Sequence, residues 1–217
     1  MKKIAFLSLI VLILGCSGKT KTDYWPNGNK KSAMHYYNGK MDGICTWWYE
    51  GGIKQMECTY ENNLLEGKST RWYFSGTLQQ EDLYVNNMLN GKTTTYYEDG
   101  NKKSEMTYVN DTLNGPTKEW HDNGQLKISG LYKQGKYDGK WQYWDKTGLL
   151  IGEGNYSEGK GIQKGYFPDG KLKREIHYVN NQKNGMEVWF SRGGDTLRKI
   201  VYENDKIVLQ NDYTDVK

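Results

Sequence analysis

The sequence contains little alanine and little proline, and it has no apolar run long enough to cross a membrane. Alanine occurs only at Ala5 and Ala33 among 217 residues, whereas glycine occurs 26 times. Because alanine is the best helix former and glycine a poor one, this composition excludes a mainly helical protein. The mean hydropathy of -0.90 excludes a polytopic membrane protein. An aromatic content of 14% is too high for a disordered chain.

Aromatic residues and glycine are abundant instead. The chain has 18 tyrosines and 8 tryptophans, and aromatic residues between glycine-containing turns favour strands. The formal net charge is only +4, and it includes Lys2 and Lys3 at the start of the chain. This small excess does not indicate a nucleic-acid partner.

A short basic and then apolar segment opens the chain. The apolar run from Ile4 to Leu14 is shorter than the ~20 residues of a membrane-spanning helix, and it is typical of a secretory signal. It ends in the letters ILGC, whose cysteine is Cys16, and this segment resembles the bacterial lipobox. The resemblance implies cleavage before Cys16 and attachment of a diacylglycerol and an acyl group to that cysteine. We therefore expect a lipoprotein signal peptide at 1–15, and a lipidated Cys16 with a short tether at 16–23.

The predicted lipid sets the expected location. Two or three acyl chains suffice for stable membrane anchoring. Ser17 is not the aspartate that signals inner-membrane retention in enteric-type bacteria. We expect an outer-membrane lipoprotein that faces the periplasm.

A repeat of 24 residues organises the rest of the chain. Glycines recur at this spacing from Gly28 to Gly148, and Gly170 follows after 22 residues. A tyrosine stands eight residues after each of these glycines, and the series includes Tyr60, Tyr84, Tyr108 and Tyr132. A second glycine follows, and five residues after it stand the rings Trp48, Trp72, Tyr96, Trp120, Trp144 and Phe190. These ten rings are the candidate stacking or binding residues.

Each repeat carries two turn signals. One is Asn-Gly or Asp-Gly, as at Asn27-Gly28, and the other is Asn-Gly or Asn-Asn, as at Asn38-Gly39 and Asn62-Asn63. These residues tolerate positive φ and therefore favour hairpins. We predict an all-β fold: an elongated, single-layer antiparallel β-meander of about eight 24-residue hairpin repeats and about fifteen short strands. The array would cover 24–203, and 204–217 would form a C-terminal cap or tail.

The type of the glycine turn decides which side chains share a face. A two-residue turn would place the repeated tryptophans and tyrosines on opposite faces, whereas a type I turn with a glycine bulge shifts the register by one residue. We favour the bulged turn, which would put Trp48 and Tyr60 on one face and Glu57 on the other. Cys45 and Cys58 would then lie on opposite faces and remain unpaired thiols. The two-residue alternative would place them directly opposite each other.

The repeat resembles the MORN-repeat variant family. The matching pattern is G-x-L-x-x-E-x-x-Y-x-N-G-x-x-x-G-x-x-x-x-[WY], best matched by Asp99 to Trp120 and Asp169 to Phe190. The resemblance covers Tyr24 to about Tyr202. It implies a hairpin-repeat fold, and bacterial members are often described as antitoxin components of toxin–antitoxin systems.

Catalytic and metal-binding patterns are not evident in the sequence. His121 occupies a position where other repeats have tyrosine, and His35 and His177 each precede a repeat tyrosine. The segment from Gly154 to Gly161 lacks the serine or threonine that a P-loop requires. We expect no enzymatic activity, no catalytic residues, no bound metal and no cofactor.

Repeat six departs from the pattern, because two residues are missing after the turn at Glu158-Gly159. The segment from Gly152 to Gly165 is also rich in glycine, which weakens strands. We expect a local kink here, and we predict that this segment opens first.

The function predicted from these features is a membrane-anchored, non-enzymatic scaffold that binds a protein partner in the bacterial envelope. One alternative is an envelope binder of glycans or lipid head groups through the aromatic rows. A second alternative, carried by the family resemblance, is an antitoxin-like neutraliser of a partner toxin.

Overall fold

The computed structural model describes residues 18–213, and every regular element in that range is a β-strand. The predicted signal peptide and Cys16 lie outside the described residues. The strands are β1 (Lys19–Tyr24), β2 (Lys30–Tyr37), β3 (Lys40–Trp48), β4 (Lys54–Glu61), β5 (Leu64–Trp72), β6 (Leu78–Val85), β7 (Met88–Leu89), β8 (Gly91–Tyr96), β9 (Lys102–Val109), β10 (Thr112–Leu113), β11 (Gly115–Trp120), β12 (Leu126–Lys133), β13 (Lys136–Trp144), β14 (Leu150–Ser157), β15 (Lys160–Tyr166), β16 (Leu172–Val179), β17 (Gln182–Phe190), β18 (Thr196–Glu203) and β19 (Lys206–Asp212).

These strands form one open antiparallel sheet of 19 strands in a meander. The predicted fold class is therefore confirmed. The strand number exceeds fifteen for two reasons. Two long strands are interrupted, so that β7 and β8 both pair with β6, and β10 and β11 both pair with β9. In addition, β1 lies in the segment that we expected to be a tether, and β19 lies in the expected cap or tail.

Two kinds of turn alternate along the sheet. At the Asn-Gly or Asn-Asn turns both central residues have positive φ, as at Asn62 and Asn63 (52° and 71°), which is the type I′ hairpin. At the other turn the amide of Gly52 donates to the carbonyl of Tyr49 at 2.8 Å, and Gly52 has φ 84°. This is the type I turn with a glycine bulge that the sequence analysis favoured.

A second bulge cancels the register shift of the glycine turn. Trp48 pairs with Lys54 but Trp47 pairs with Met56, so that Gln55 is an extra residue. The same extra residue occurs after every glycine turn, at Lys31, Gln55, Gln79, Lys103, Lys127, Ile151, Lys173 and Leu197.

The predicted facing of side chains is therefore wrong. Trp47, not Trp48, shares a face with Tyr60, because a one-residue change of register moves every side chain to the other face. Cys45 and Cys58 are also not on opposite faces, since they are direct cross-strand partners.

We call the two sides of the sheet the tyrosine face, which carries Tyr60, Tyr84, Tyr108 and Tyr132, and the tryptophan face, which carries Trp48, Trp72, Tyr96, Trp120, Trp144 and Phe190.

A third irregularity occurs in each ordinary repeat. Met34 pairs with Cys45 and Tyr36 pairs with Met41, so that three residues around Gly43 stand opposite one residue of β2. Gly43 has φ 107°, a conformation that favours glycine. The resulting bulge explains the second repeated glycine.

Repeat six lacks this last bulge. β14 and β15 pair without interruption from Gly152 with Gly165 to Ser157 with Lys160. The two missing residues are those that the bulge would add. The shortened repeat draws the neighbouring turns together, since Asn181 Oδ1 accepts from the amide of Tyr137 at 2.8 Å and Asn181 Nδ2 donates to the carbonyl of Gly135 at 2.8 Å.

The core is a thin layer on the tyrosine face. Its centre is a column of cross-strand pairs, which includes Cys45 with Cys58 and Ser69 with Asp82. These four side chains are buried. The buried carboxylate of Asp82 accepts hydrogen bonds from Gln80 Nε2 and Thr93 Oγ1, each at 2.9 Å. A buried polar group needs such partners.

Candidate interaction surfaces

The repeated polar rings next to the glycine turns connect neighbouring repeats. Tyr49 Oη donates to the carbonyl of Trp72 at 3.0 Å, and Tyr73 Oη donates to the carbonyl of Tyr96 at 2.7 Å. His121 Nε2 lies 2.9 Å from the carbonyl of Trp144 in the same arrangement. His121 thus serves as a repeat position, as the sequence predicts, because its ring offers a polar nitrogen where tyrosine offers a hydroxyl.

The six rings of the tryptophan face are half-buried. Lysines of neighbouring strands cover part of this row: Lys54 Nζ lies 5.5 Å from the ring centroid of Trp72, and Lys102 Nζ lies 5.8 Å from that of Trp120. Such contacts are cation–π interactions. The rings thus pack on side chains of their own sheet, and they do not stand free as a row.

A ladder of glutamates runs beside these rings. Lys102 Nζ lies 2.6 Å from Glu105 Oε1, and this contact lowers the pKa of the Glu105 carboxyl below its ordinary value. Tyr166 Oη donates to Glu153 Oε1 at 2.8 Å, and that hydrogen bond lowers the pKa of Glu153. The tryptophan face is therefore a solvated surface of mixed charge, and its glutamates are paired with neighbours.

The tyrosine face carries a second row of half-buried rings. Tyr60, Tyr84 and Tyr108 each pair across the strand with a leucine, namely Leu65, Leu89 and Leu113. The ten candidate rings therefore form two rows on opposite faces, and they do not form one common platform.

A denser group of rings lies on the tyrosine face around repeats five and six. We call it the ring cluster: Tyr132, Tyr137, Trp141, Tyr156 and Tyr178. The ring centroids of Tyr137 and Trp141 are 4.6 Å apart, and those of Tyr137 and Tyr156 are 5.3 Å apart. Trp141 and Tyr156 are buried.

Burial changes the chemistry of the tyrosines around this cluster. Loss of solvent contact raises the pKa of Tyr132 and Tyr156 above the ordinary tyrosine value, and it raises the pKa of nearby Tyr143 to about 12. These hydroxyls stay protonated at neutral pH. Among the described residues the buried hydroxyl of Tyr156 has no hydrogen-bond partner, so this ring serves as a core group. Sequence reasoning did not single out Trp141, although a tryptophan where other repeats have Ser69 or Thr93 was a readable signal.

The two ends of the sheet differ in chemistry. At one end β1 presents the exposed side chains of Lys19 and Lys21. At the other end every residue of β19 is exposed, and Ile207, Val208 and Leu209 are 56%, 51% and 53% exposed. This apolar edge was not among the features expected from the sequence, although three consecutive apolar residues mark it.

Among residues 18–213, no three His, Cys, Asp or Glu side chains converge as a metal site. In that same range no helix is both long and apolar enough to cross a membrane. The predicted lipidation of Cys16 lies outside the described residues and stays a prediction.

Comparisons with known proteins concern the repeats. The family model described as "MORN repeat variant" matches residues 41–62, 65–86, 89–110, 113–134 and 160–180. These matches leave out 135–159, which contains three rings of the ring cluster. A search of curated proteins finds no match to the chain.

One solved structure aligns with much of this chain. The crystal structure of TcdB2-TccC3-TEV is 11% identical to this chain with a TM-score of 0.19, and the aligned region covers 84% of this chain. The chain spans only 13% of that structure's chain. At this TM-score the likeness carries no argument about fold or function.

Proposed function

This chain belongs to the MORN repeat variant family, and from that premise we propose that it is a membrane-anchored, non-enzymatic scaffold that binds a protein partner. Repeats of this family are protein- and membrane-interaction motifs. The observation that carries the proposal here is the open apolar edge of β19. The lipid on Cys16 and the location at an outer membrane, facing the periplasm, are parts of the same proposal.

The edge of β19 offers a partner strand both unpaired backbone groups and exposed apolar side chains. Within residues 18–213, β19 pairs only with β18, so its outer backbone groups face no other strand. An added strand would bond to these groups, and strand addition is a common mode of peptide recognition. Exposed Ile207, Val208 and Leu209 would bury apolar surface in the same step.

The opposite edge is protected from such pairing. β1 reads KTKTDY, with lysines at Lys19 and Lys21. Lysine on an edge strand is a common means of preventing edge-to-edge association. The difference between the two ends favours one recognition edge.

The anchor would direct the open edge away from the membrane. Only Ser17 and Gly18 lie between Cys16 and β1, so the β1 end of the sheet would lie next to the lipid. β19 is the last strand of the meander, and strands lie ~4.8 Å apart, which places the two edges on the order of 70 Å from each other. The partner segment is therefore expected at a distance from the bilayer surface.

Proline substitution can remove one outward amide without disturbing β18. The amide of Tyr213 donates to the carbonyl of Leu197 at 2.8 Å, so it points towards β18. Successive residues of a strand direct their amides to opposite sides, and the amide of Gln210 therefore points outward. Gln210→Pro deletes this donor at an edge position that tolerates proline.

The test is site-specific photo-crosslinking of the full, anchored protein in cells. A crosslinker at Val208 should capture one partner protein, and the same crosslinker at Lys21 of β1 serves as the matched control. Gln210→Pro should abolish the Val208 crosslink while membrane fractionation stays unchanged. Equal capture at both ends, or capture that survives Gln210→Pro, would show that β19 is not the recognition edge.

The anchor is tested separately by Cys16→Ser and a fatty-acid analogue. We expect the analogue to label the protein with Cys16 and not the variant, and the variant to appear as an unprocessed or soluble species. A Cys16 protein that takes up no label would remove the membrane part of the proposal and leave the β19 part standing.

The two alternative functions stay predictions. A glycan or lipid head group would have to bind half-buried rings that lie on opposite faces of the sheet. This arrangement disfavours a single binding surface made of all ten rings. An antitoxin-like role would use the same β19 edge if the crosslinked partner were a toxin.

A further inference from the structure

The two cysteines of the repeat array occupy one cross-strand pair. Cys45 of β3 lies directly opposite Cys58 of β4, between the pairs Ile44 with Thr59 and Thr46 with Glu57. Both side chains are on the tyrosine face, and their exposures are 0% and 1%. They are free thiols in this structure.

We propose that Cys45 and Cys58 form an intrachain disulfide that joins β3 to β4. Directly opposite residues of an antiparallel pair have Cβ atoms about 4.5–5.5 Å apart. A disulfide needs Cβ atoms about 3.5–4.5 Å apart and Cα atoms about 4.4–6.8 Å apart. The bond therefore requires only a small approach of the two side chains and no change of strand register.

The register holds the thiols in this position. Between them lie the glycine turn at Gly52 and the bulge at Gln55, and these two features offset each other. A slip of one residue would move Cys58 to the tryptophan face and expose the core. The register of the hairpin thus keeps the two thiols opposite each other.

The same column in other repeats shows that the bond uses an ordinary core position. The equivalent pairs are Ser69 with Asp82 in one repeat and Trp141 with Gly154 in another. The position therefore accepts cross-strand pairs of very different chemistry. Two thiols at this position would occupy it as a disulfide. Within residues 18–213 no further His, Cys, Asp or Glu side chains converge on them to make a metal site.

The chemistry is thiol–disulfide exchange with an external disulfide, either a protein thiol oxidant or a small-molecule disulfide. The thiolate of one cysteine attacks the oxidant and forms a mixed disulfide, which releases one thiol of the oxidant. The second cysteine loses its proton and attacks the first cysteine's sulfur, which releases the other thiol. Two cysteine thiols are oxidised, and the disulfide of the oxidant is reduced to two thiols.

Burial determines when this exchange can occur. Loss of solvent contact raises the pKa of Cys58 to about 11 and also raises the pKa of Cys45. The thiolate is the reactive form, so the folded thiols are poor nucleophiles and are out of reach of an oxidant. The bond accordingly forms while the β3–β4 hairpin folds, before neighbouring strands cover it.

The experiment starts with the full-length protein unfolded and reduced, then refolded in detergent with a mixture of reduced and oxidised glutathione. Alkylation with a mass tag and peptide mapping should show a single linked peptide pair, Cys45 with Cys58, and no tag on either residue until a reductant is added. Two tagged thiols, or bonds between chains, would overturn the proposal.

A control variant tests whether the disulfide depends on the strand register or only on the two thiols being close in the chain. The double variant Cys58→Ser with Thr59→Cys moves one thiol by a single residue to the other face. It should refold and stay reduced under the same buffer. If it forms an intrachain bond as readily as the natural pair, the register does not direct the disulfide.

A second arm tests the order of events. Protein folded in the reduced state should oxidise at least tenfold more slowly than protein oxidised during refolding. Equal rates would show that the folded pair is accessible, and they would overturn the folding-stage part of the proposal. These outcomes do not depend on the β19 edge, so the two proposals can fail separately.

Discussion

Residues 40–120 and residues 130–178 belong to one repeat array but fill the tyrosine face in different ways. In the first region a tyrosine pairs with a leucine, as Tyr84 does with Leu89, and the central column holds small side chains such as Thr93. In the second region Tyr132 pairs with Tyr137, and the column holds Trp141 opposite Gly154.

The difference shows that the central cross-strand pairs of the tyrosine face must fill the available volume, but that no particular residue type is required there. A Cβ added to Gly130 or Gly154 would collide with the ring of Trp141 or Tyr156, respectively. Gly130 of β12 thus makes room for the Trp141 ring of β13, and Gly154 makes room for the Tyr156 ring of its own strand. In the first region Thr93 stands opposite Met106. Complementary volume across the pair preserves the register, because well-filled interiors tolerate little empty space.

The largest expected effect comes from removing the ring at the centre of the second region. Trp141→Ala should lower the free energy of unfolding by about 3–5 kcal/mol, because it leaves a cavity between two glycines. Thr117→Ala, at the equivalent position of the preceding repeat, is the control and should cost well under half of that. Urea unfolding measures both, and equal losses would mean that the two regions are filled in the same way.

A methyl group in the space that Trp141 occupies should have the next largest effect. Gly130→Ala places its Cβ in collision with the Trp141 ring, and overpacking of this kind costs about 1–3 kcal/mol. Gly51→Ala is the matched control, since the nearest atom to its added Cβ is the Phe74 ring at 4.0 Å. We expect thermal unfolding to separate these variants by several degrees. A neutral Gly130→Ala would show that the ring cluster is loosely filled.

Hydrogen exchange compares the backbones of the two regions. The sequence predicts that 152–165 opens first because of its glycines. In the structure, however, β14 and β15 pair without interruption over this segment, which includes the buried Tyr156. In the other region the strand from Met88 to Tyr96 is interrupted and forms the two strands β7 and β8. We therefore expect amides of 152–165 to exchange no faster than those of 84–120. Faster exchange at 152–165 would restore the original prediction.

The smallest expected effect concerns two glutamates with lowered pKa. Glu105 owes its lowered pKa first to Lys102, and Glu153 owes its lowered pKa first to Tyr166. A carboxyl whose pKa is lower in the folded state stabilises the fold above its unfolded pKa, and this contribution is lost as the pH falls through the folded pKa. Solvent screening keeps each contribution under about 1 kcal/mol.

Salt distinguishes the two glutamates. Lys102→Met should reduce the stability difference between pH 7 and pH 3 at low salt but not at high salt, because ions screen a charge pair. Tyr166→Phe removes a neutral donor, so its effect should persist at high salt. Identical salt responses, read from urea unfolding at both pH values, would contradict this assignment.

The period of 24 residues, with its paired turn signals, was sufficient to predict strands, turns and an open meander. Turn residues such as Asn62, Asn63 and Gly52 act locally through positive φ, and a local preference can be read from local sequence. The lipobox-like ending at Cys16 is likewise a purely local pattern.

The sequence did not predict correctly which side chains share a face of the sheet. For that reason it also did not predict the two aromatic rows or the pairing of Cys45 with Cys58. They depend on the extra residue after each glycine turn, which is Gln55 in one repeat, Lys103 in another and Ile151 in a third. The bulge position holds lysine in four repeats, glutamine in two and an apolar residue in two, so no single residue type marks it. The bulge arises where two strands adjust their pairing to bury one face. The sequence by itself thus determined the repeat, its turns and its fold class. Only the tertiary structure decided which side chains meet across the strands, since a shift of one residue in pairing reverses every face.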